Sequence, residues 1–122
     1  MKIKVIASWI IAVLLALAFL GAGVAKLTSQ PMMVAEFALF GLPPWFLYVT
    51  GTIEVVSAVL LVIPRTTVIG GGLIVCVMIG ALIAHLTHGQ AAMIGAPLVL
   101  LILAGILIRL RTIGSPVKLS PA

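Results

Sequence analysis

Four long stretches of the chain carry almost no polar side chain, and short clusters of glycine, proline and charge divide them. The first, Val5 to Ala25, runs without a charge between Lys2 and Lys4 on one side and Lys26 on the other. The second opens on the aromatic cluster Trp45, Phe46 and Tyr48 and continues through Ile63 to Pro64-Arg65. The third runs from Thr67 to His88, and the fourth from Ala91 to Ile108, ahead of Arg109 and Arg111. Each approaches the ~20 apolar residues needed to cross a hydrocarbon core about 30 Å thick. The pattern predicts one domain, residues 1–122, with transmembrane helices at about 5–26, 45–63, 67–88 and 91–109 and a short flexible tail at 112–122. A cleavable leader competes for the first stretch, because Gly23-Val24-Ala25 resembles a small-residue cleavage site. The uninterrupted run exceeds the usual leader core of ~7–15 residues, so the segment reads as a retained span.

Between the first two spans the pattern changes. Thr28, Ser29 and Pro31 offer a helix start, and Gly41, Pro43 and Pro44 a stop. A short interfacial helix fits between them, with Met33, Phe37 and Phe40 on one face and Glu36 off it. An irregular loop packed on the bundle is the alternative. In the third span the small residues Gly72, Cys76, Gly80 and Ala84 recur every four positions, which predicts a smooth face for close helix packing. Cys76 then serves as a small packing residue. The expected fold class is an all-α membrane protein, a four-transmembrane-helix bundle with antiparallel neighbours.

Composition sharpens this picture. Of 122 residues, 64% are hydrophobic and 7% charged, against roughly 45–50% and about 25% in soluble domains. The formal charge of +5 would raise nucleic acid as a partner in a soluble chain. Here the basic residues sit at span ends, where topology signals belong, and no nucleic acid is expected. Lys2, Lys4, Arg65, Arg109, Arg111 and Lys118 fall at one end of a four-span bundle and Lys26 at the other. That asymmetry predicts a multi-pass membrane protein with both termini cytoplasmic. The one cysteine excludes an internal disulfide and a C-x-x-C redox pair.

Chemistry then centres on Glu54. Counting ~1.5 Å per residue from Phe46 places it about 12 Å into the second span, near mid-bilayer. An acidic residue there costs on the order of 2.5–3.5 kcal/mol on insertion scales, so it should face the bundle interior. Thr50 and Ser57 lie on the same helix face and are the nearest hydroxyl partners. Lys26 and His85 approach from the outer ends of the first and third spans, but neither is level with the carboxylate, and Lys26 would have to bend inward against its tendency to snorkel. Without a cationic partner, desolvation favours the protonated acid. Glu54 is therefore either a hydrogen-bonding pin between helices or a group that binds ligand or handles protons. Lys26, Glu54, His85, Ser57 and Thr50 are the candidate ligand-binding or proton-handling residues, and Lys26, Glu54 and His85 are expected to converge on one polar pocket. No catalytic residue set, metal site or cofactor motif emerges: aspartate is missing, Gly70-Gly71-Gly72 lacks a following Lys-Ser or Lys-Thr, and His85 and His88 have no Cys or nearby carboxylate to complete a shell.

Several segments, in order and at sensible spacing, resemble the DoxX-like family of small four-span bacterial membrane proteins. They are Leu17-Ala18-Phe19-Leu20-Gly21-Ala22-Gly23-Val24-Ala25-Lys26-Leu27, Phe40-Gly41-Leu42-Pro43, Gly51-Thr52-Ile53-Glu54, Leu60-Leu61-Val62-Ile63-Pro64, and Gly80-Ala81 with His85. The resemblance implies that the recurring polar points of the family fall on Lys26, Glu54 and His85. It also implies an accessory or binding subunit linked to membrane redox or stress functions, within a membrane redox complex or a homo-oligomer, with a quinone-like molecule as candidate ligand. The alternative class is a small proton-coupled exporter of lipophilic or cationic compounds. Small multidrug resistance proteins of similar length carry their membrane carboxylate in the first span, whereas here it lies in the second.

Overall fold

The computed structural model describes residues 2–113, and among them every regular element is helical. Five α-helices follow in order: α1 (Lys2–Leu27), α2 (Pro31–Leu39), α3 (Pro44–Val62), α4 (Thr67–Thr87) and α5 (Gly95–Ile113). Four of them, all but α2, are long and apolar enough to cross a membrane. They pack in the cyclic order α1, α3, α4, α5, with α1 against α3 the most extensive pairing and α2 lying on α3. The lining of this bundle is thin. Ala12, Leu15 and Phe19 of α1 meet Ala58 and Leu61 of α3, Ile74 and Met78 of α4, and Ala104 and Leu107 of α5. Large apolar side chains such as Leu17, Val59, Ile83 and Ile102 face outward, as lipid-facing residues of a membrane bundle do.

Helix ends follow from local chemistry. Pro31 and Pro44 occupy first-turn positions of α2 and α3, where a missing N–H costs nothing. At the end of α4, Gly89 takes φ 72°, and the Gln90 N–H donates to the His85 carbonyl at 2.8 Å. This left-handed residue with its six-to-one bond is a Schellman ending, which glycine permits without a Cβ clash. The same closure ends α1, but through Ser29 at φ 56°, with the Gln30 N–H on the Ala25 carbonyl at 3.0 Å. The Ser29 and Tyr48 hydroxyls share a hydrogen bond of 2.6 Å that ties this turn to α3. Between α3 and α4, the Thr67 hydroxyl donates to the Leu61 and Ile63 carbonyls and so covers backbone acceptors that the end of α3 leaves open.

Three expectations need correction. The fourth spanning helix does not begin at Ala91. Residues Ala91–Met93 form a short 3-10 turn, and α5 starts at Gly95, where Pro97 fits the first turn. At its other end α5 continues through Ile113, so Thr112 is helical and bonds to the Ile108 carbonyl; the remainder of the expected tail, 114–122, lies outside the described residues. Finally, the Gly72, Cys76, Gly80, Ala84 stripe is no helix-packing face. A Cβ at Gly72 or Gly80 would meet nothing within 4 Å, and Cys76 is exposed. Four residues overshoot a helical turn by about 40°, so the stripe drifts off the buried face that Gly70, Gly71, Ile74 and Met78 form.

The close contacts are made elsewhere. A Cβ on Gly23 of α1 would lie 2.6 Å from Val55 Cγ2 and 2.8 Å from the Gly51 carbonyl oxygen, and one on Gly51 would lie 2.9 Å from Lys26 Cβ. Gly70 of α4 stands equally close to Leu60, Leu61 and Ser57 of α3. Gly23→Ala should therefore force α1 and α3 apart and lower stability by about 1–3 kcal/mol. Gly21→Ala, with nothing within 4 Å of the added methyl, should be neutral or slightly stabilising. Thermal unfolding of both variants in one detergent checks the contrast.

Candidate functional site

The Gly23 and Gly51 contact decides where Lys26 goes. Lys26 lies three residues after Gly23, and its Cβ stands over the hydrogen side of Gly51. Glu54 lies three residues after Gly51 on the same face of α3, with both residues buried. With no side chain at 51 to push it away, the lysine stem runs down α3, and Lys26 Nζ stands 2.8 Å from Glu54 Oε1. Both groups are withdrawn from the surface, at 8% and 3% exposure. The lysine bends inward because the alternative, a lone carboxylate among apolar helices, costs more than the snorkelling it gives up.

The pair stands at the distance of a charge-assisted hydrogen bond, the ammonium donating to Oε1. The two hydroxyls expected to serve Glu54 do not. Thr50 donates to the Phe46 carbonyl at 2.9 Å, and Ser57 donates to the Ile53 carbonyl at 2.7 Å. Each hydroxyl proton is committed four residues back along its own helix, the usual outcome for Ser and Thr inside a helix.

A cavity of about 550 Å³ opens beside the pair, walled by α2, α3 and α4. Helices α3 and α4 meet tightly at Gly70 and leave this space toward the Lys26 end, where Cys76, Gly80 and Ala84 are too small to fill it. The walls are mostly apolar, among them Phe46, Ile53, Met78 and Ala81. Its roof is α2: Phe37 packs near Phe46, with ring centroids 6.3 Å apart, and Phe40 sets its ring edge-on to His85 at 5.3 Å. Gly80 and Ile83, which line the cavity, are also exposed.

Lys26, Glu54, His85 and Thr50 all line this cavity, and Ser57 does not. His85 is buried at 7% exposure and fixed by the α4 ending, where Nδ1 and Gln90 Oε1 lie 2.7 Å apart. An amide oxygen only accepts, so Nδ1 carries the proton and donates. In the neutral ring Nε2 is then a free acceptor.

Two features escaped the sequence reading. Glu36 also lines the cavity; it lies one residue before the buried Phe37 on the underside of α2, and a stripe drawn through Met33, Phe37 and Phe40 hides it. At the opposite end, the Arg111 guanidinium donates to Thr67 Oγ1 at 2.9 Å and to Ser8 Oγ at 3.2 Å and lies 5.1 Å from the centre of the Trp9 ring. It ties α1, α4 and α5 together. Its signal was position, four residues past the buried Leu107, but a basic residue at a span end reads first as a topology marker.

The buried pair yields a prediction. Lys26→Met or Glu54→Met alone strands the other charge and should cost about 3 kcal/mol, whereas the double variant should recover most of that loss, because both desolvation costs disappear together. Unfolding of all four proteins in lipid nanodiscs gives the coupling. Additive losses would mean that the two side chains act separately.

Comparison with known proteins agrees with this architecture. The chain is 34% identical over 86 residues to the uncharacterised protein YdgD of Bacillus subtilis (strain 168), an alignment that covers 67% of this chain and 75% of the relative. No solved structure matches it. The DoxX-like family profile matches residues 10–107, which take in α2, α3 and α4 and about two thirds of α1 and of α5, with Lys26, Glu54 and His85 among them. The four-span chain with a lysine-glutamate pair beside an apolar cavity belongs to the DoxX-like family.

Proposed function

We propose that this multi-pass membrane protein is a binding subunit that holds one lipophilic molecule in the cavity between α2, α3 and α4, with the polar head of that molecule against Lys26 and Glu54. The observation that carries this reading is a cavity of about 550 Å³ whose walls are apolar and whose polar groups gather at the buried pair and at His85. Sites for small ligands have this form: roughly 300–1,000 Å³, mostly apolar, with a few placed polar groups. A quinone-like molecule fits the description, and so does any single-ring or single-chain amphiphile that partitions into the bilayer. The exposure of the lining residues Gly80 and Ile83 supports entry from the lipid. In this reading the protein is an accessory component beside a membrane redox or stress complex, or a homo-oligomer, and no chemical step is assigned to it. The exporter reading draws less support, because the ammonium beside Glu54 occupies the place that an exchanging proton or a cationic drug would take.

Gly80→Leu tests the binding reading without disturbing the fold. Gly80 lines the cavity and nothing stands within 4 Å of a Cβ at this position, so a leucine has room there beside the cavity. A long-chain quinone titrated into the nanodisc-held protein should bind the wild type and lose at least about tenfold in affinity for the variant, while the unfolding temperature stays level or rises. Equal affinity for both proteins would remove the cavity as the site.

In this reading the basic end of the bundle, with Lys2, Lys4, Arg65, Arg109 and Arg111, faces the cytoplasm of a bacterial inner membrane and the cavity lies toward the outer face. Reporter fusions check this. Fusions after Arg65 should report cytoplasm and fusions after Gly89 the outside, and the reverse pattern would invert the topology.

A further inference from the structure

We propose that the cavity selects an amphiphile whose head bears a hydroxyl, of phenol or hydroquinone type, over the corresponding ether or quinone. The inference rests on the cavity being a ligand site and adds which head group it takes.

The argument is a count of donors and acceptors at the polar end. Lys26 brings an ammonium that contacts Glu54 at 2.8 Å and has further N–H donors. The paired carboxylate is acceptor-only, and the ammonium against Oε1 leaves it further lone pairs to be met. Thr50 and Ser57 have their protons on backbone carbonyls and supply no donor. His85 has Nδ1 committed to Gln90 at 2.7 Å, which leaves Nε2 as an acceptor. The cavity thus presents one cation, the acceptor sites that Glu54 keeps beyond its contact with that cation, the Glu36 carboxylate and the imidazole nitrogen.

A ligand carbonyl or ether oxygen could take a hydrogen bond from Lys26, but it has no proton to give, so its arrival would leave the remaining lone pairs of the carboxylate and the imidazole nitrogen unserved and shut off from water. That is the expensive outcome for buried polar atoms. A hydroxyl differs because one oxygen accepts from the ammonium while its proton goes to the carboxylate, bridging the pair. A second hydroxyl, as on a hydroquinone, finds an acceptor of the same kind at His85 Nε2. Hydrogen bonds to charged groups are the stronger class, so the discrimination rests mainly on Glu54. The apolar remainder of the ligand lies along Phe46, Ile53 and Ala81, which does not distinguish hydroxyl from ether.

The test compares 4-dodecylphenol with 4-dodecylanisole, its methyl ether, by calorimetric titration into the full-length protein in zwitterionic nanodiscs, with each affinity referred to the ligand concentration in the bilayer. The wild type should bind the phenol about tenfold more tightly, the size of one good hydrogen bond to a charged group. Decylhydroquinone and decylquinone should rank the same way. In Glu54→Gln the preference should shrink toward unity, with melting curves reporting whether the variant is folded. The wild-type comparison stands without the variant. Equal binding of phenol and ether to the wild type would overturn the hydroxyl selection and leave the cavity reading in place. Failure of both ligands to bind would overturn the cavity reading and this inference together. A preference that survives in folded Glu54→Gln would also overturn it, since the discriminating group would then lie elsewhere.

Discussion

A lysine and a glutamate buried among apolar helices are costly apart and tolerable together, and most of the upper half of this bundle follows from bringing them together. Removing one partner of a buried pair costs about 3–5 kcal/mol in typical cases. The helices must therefore hold the two groups within contact distance, and they do so with two glycines. Gly23 and Gly51 let α1 and α3 approach until a Cβ on either would overlap the other helix. Lys26 and Glu54, each three residues further along its helix, are then delivered to 2.8 Å. The most extensive helix pairing in the molecule is this one, and it puts a neutral pair of opposite charges where an isolated carboxylate would have had to give up its charge.

The cavity is the complement of that closeness. Where α3 is drawn to α1, it stands back from the upper part of α4, whose Cys76, Gly80 and Ala84 leave the gap unfilled. Below, Gly70 lets α4 touch α3 again, so the gap is a wedge with a floor. Above it, α2 supplies Phe37 and its C-cap Phe40. The turn after α4 does a second job, because the backbone closure at Gly89 brings the Gln90 side chain onto His85 Nδ1. One local ending thus sets both the helix terminus and the chemistry of the wall. At the far end, Arg111 joins α1, α4 and α5 through hydroxyls and the Trp9 ring, leaving the carboxylates to the cavity end, where both Glu36 and Glu54 lie.

The spans were legible because a bilayer imposes one length and one polarity on them, and Lys, Arg, Pro and Gly mark their ends. The importance of Glu54 was legible for the same reason, since a carboxylate deep in a span must be accounted for. What could not be read was depth along a side chain. Lys26 lies one turn from Glu54 in height, and only the absence of a side chain at Gly51 lets it reach down. The hydroxyls of Thr50 and Ser57 occupy the expected face, but sequence cannot say that the backbone takes their protons first. The small-residue stripe of α4 misled because small residues permit either a neighbouring helix or an empty space, and which occurs depends on how α3 packs on its other side. Glu36 and Arg111 were hidden by more obvious roles for their neighbours and for their own position.

The central claim is that Glu54 is ionised and paired with Lys26 within the bilayer-spanning part of the bundle. Infrared difference spectroscopy tests it most directly, comparing wild type with Glu54→Gln, both carrying isotope-labelled glutamate carboxyls, in lipid at neutral pH. Glu36 and Glu54 are the only acidic side chains in the chain, so the subtraction isolates one group. The account predicts that the substitution removes an ionised-carboxylate band and leaves the protonated-acid carbonyl region unchanged. Loss of a protonated carboxylic-acid band instead would contradict it, and would make Glu54 a neutral hydrogen-bonding group beside a lysine that does not need it.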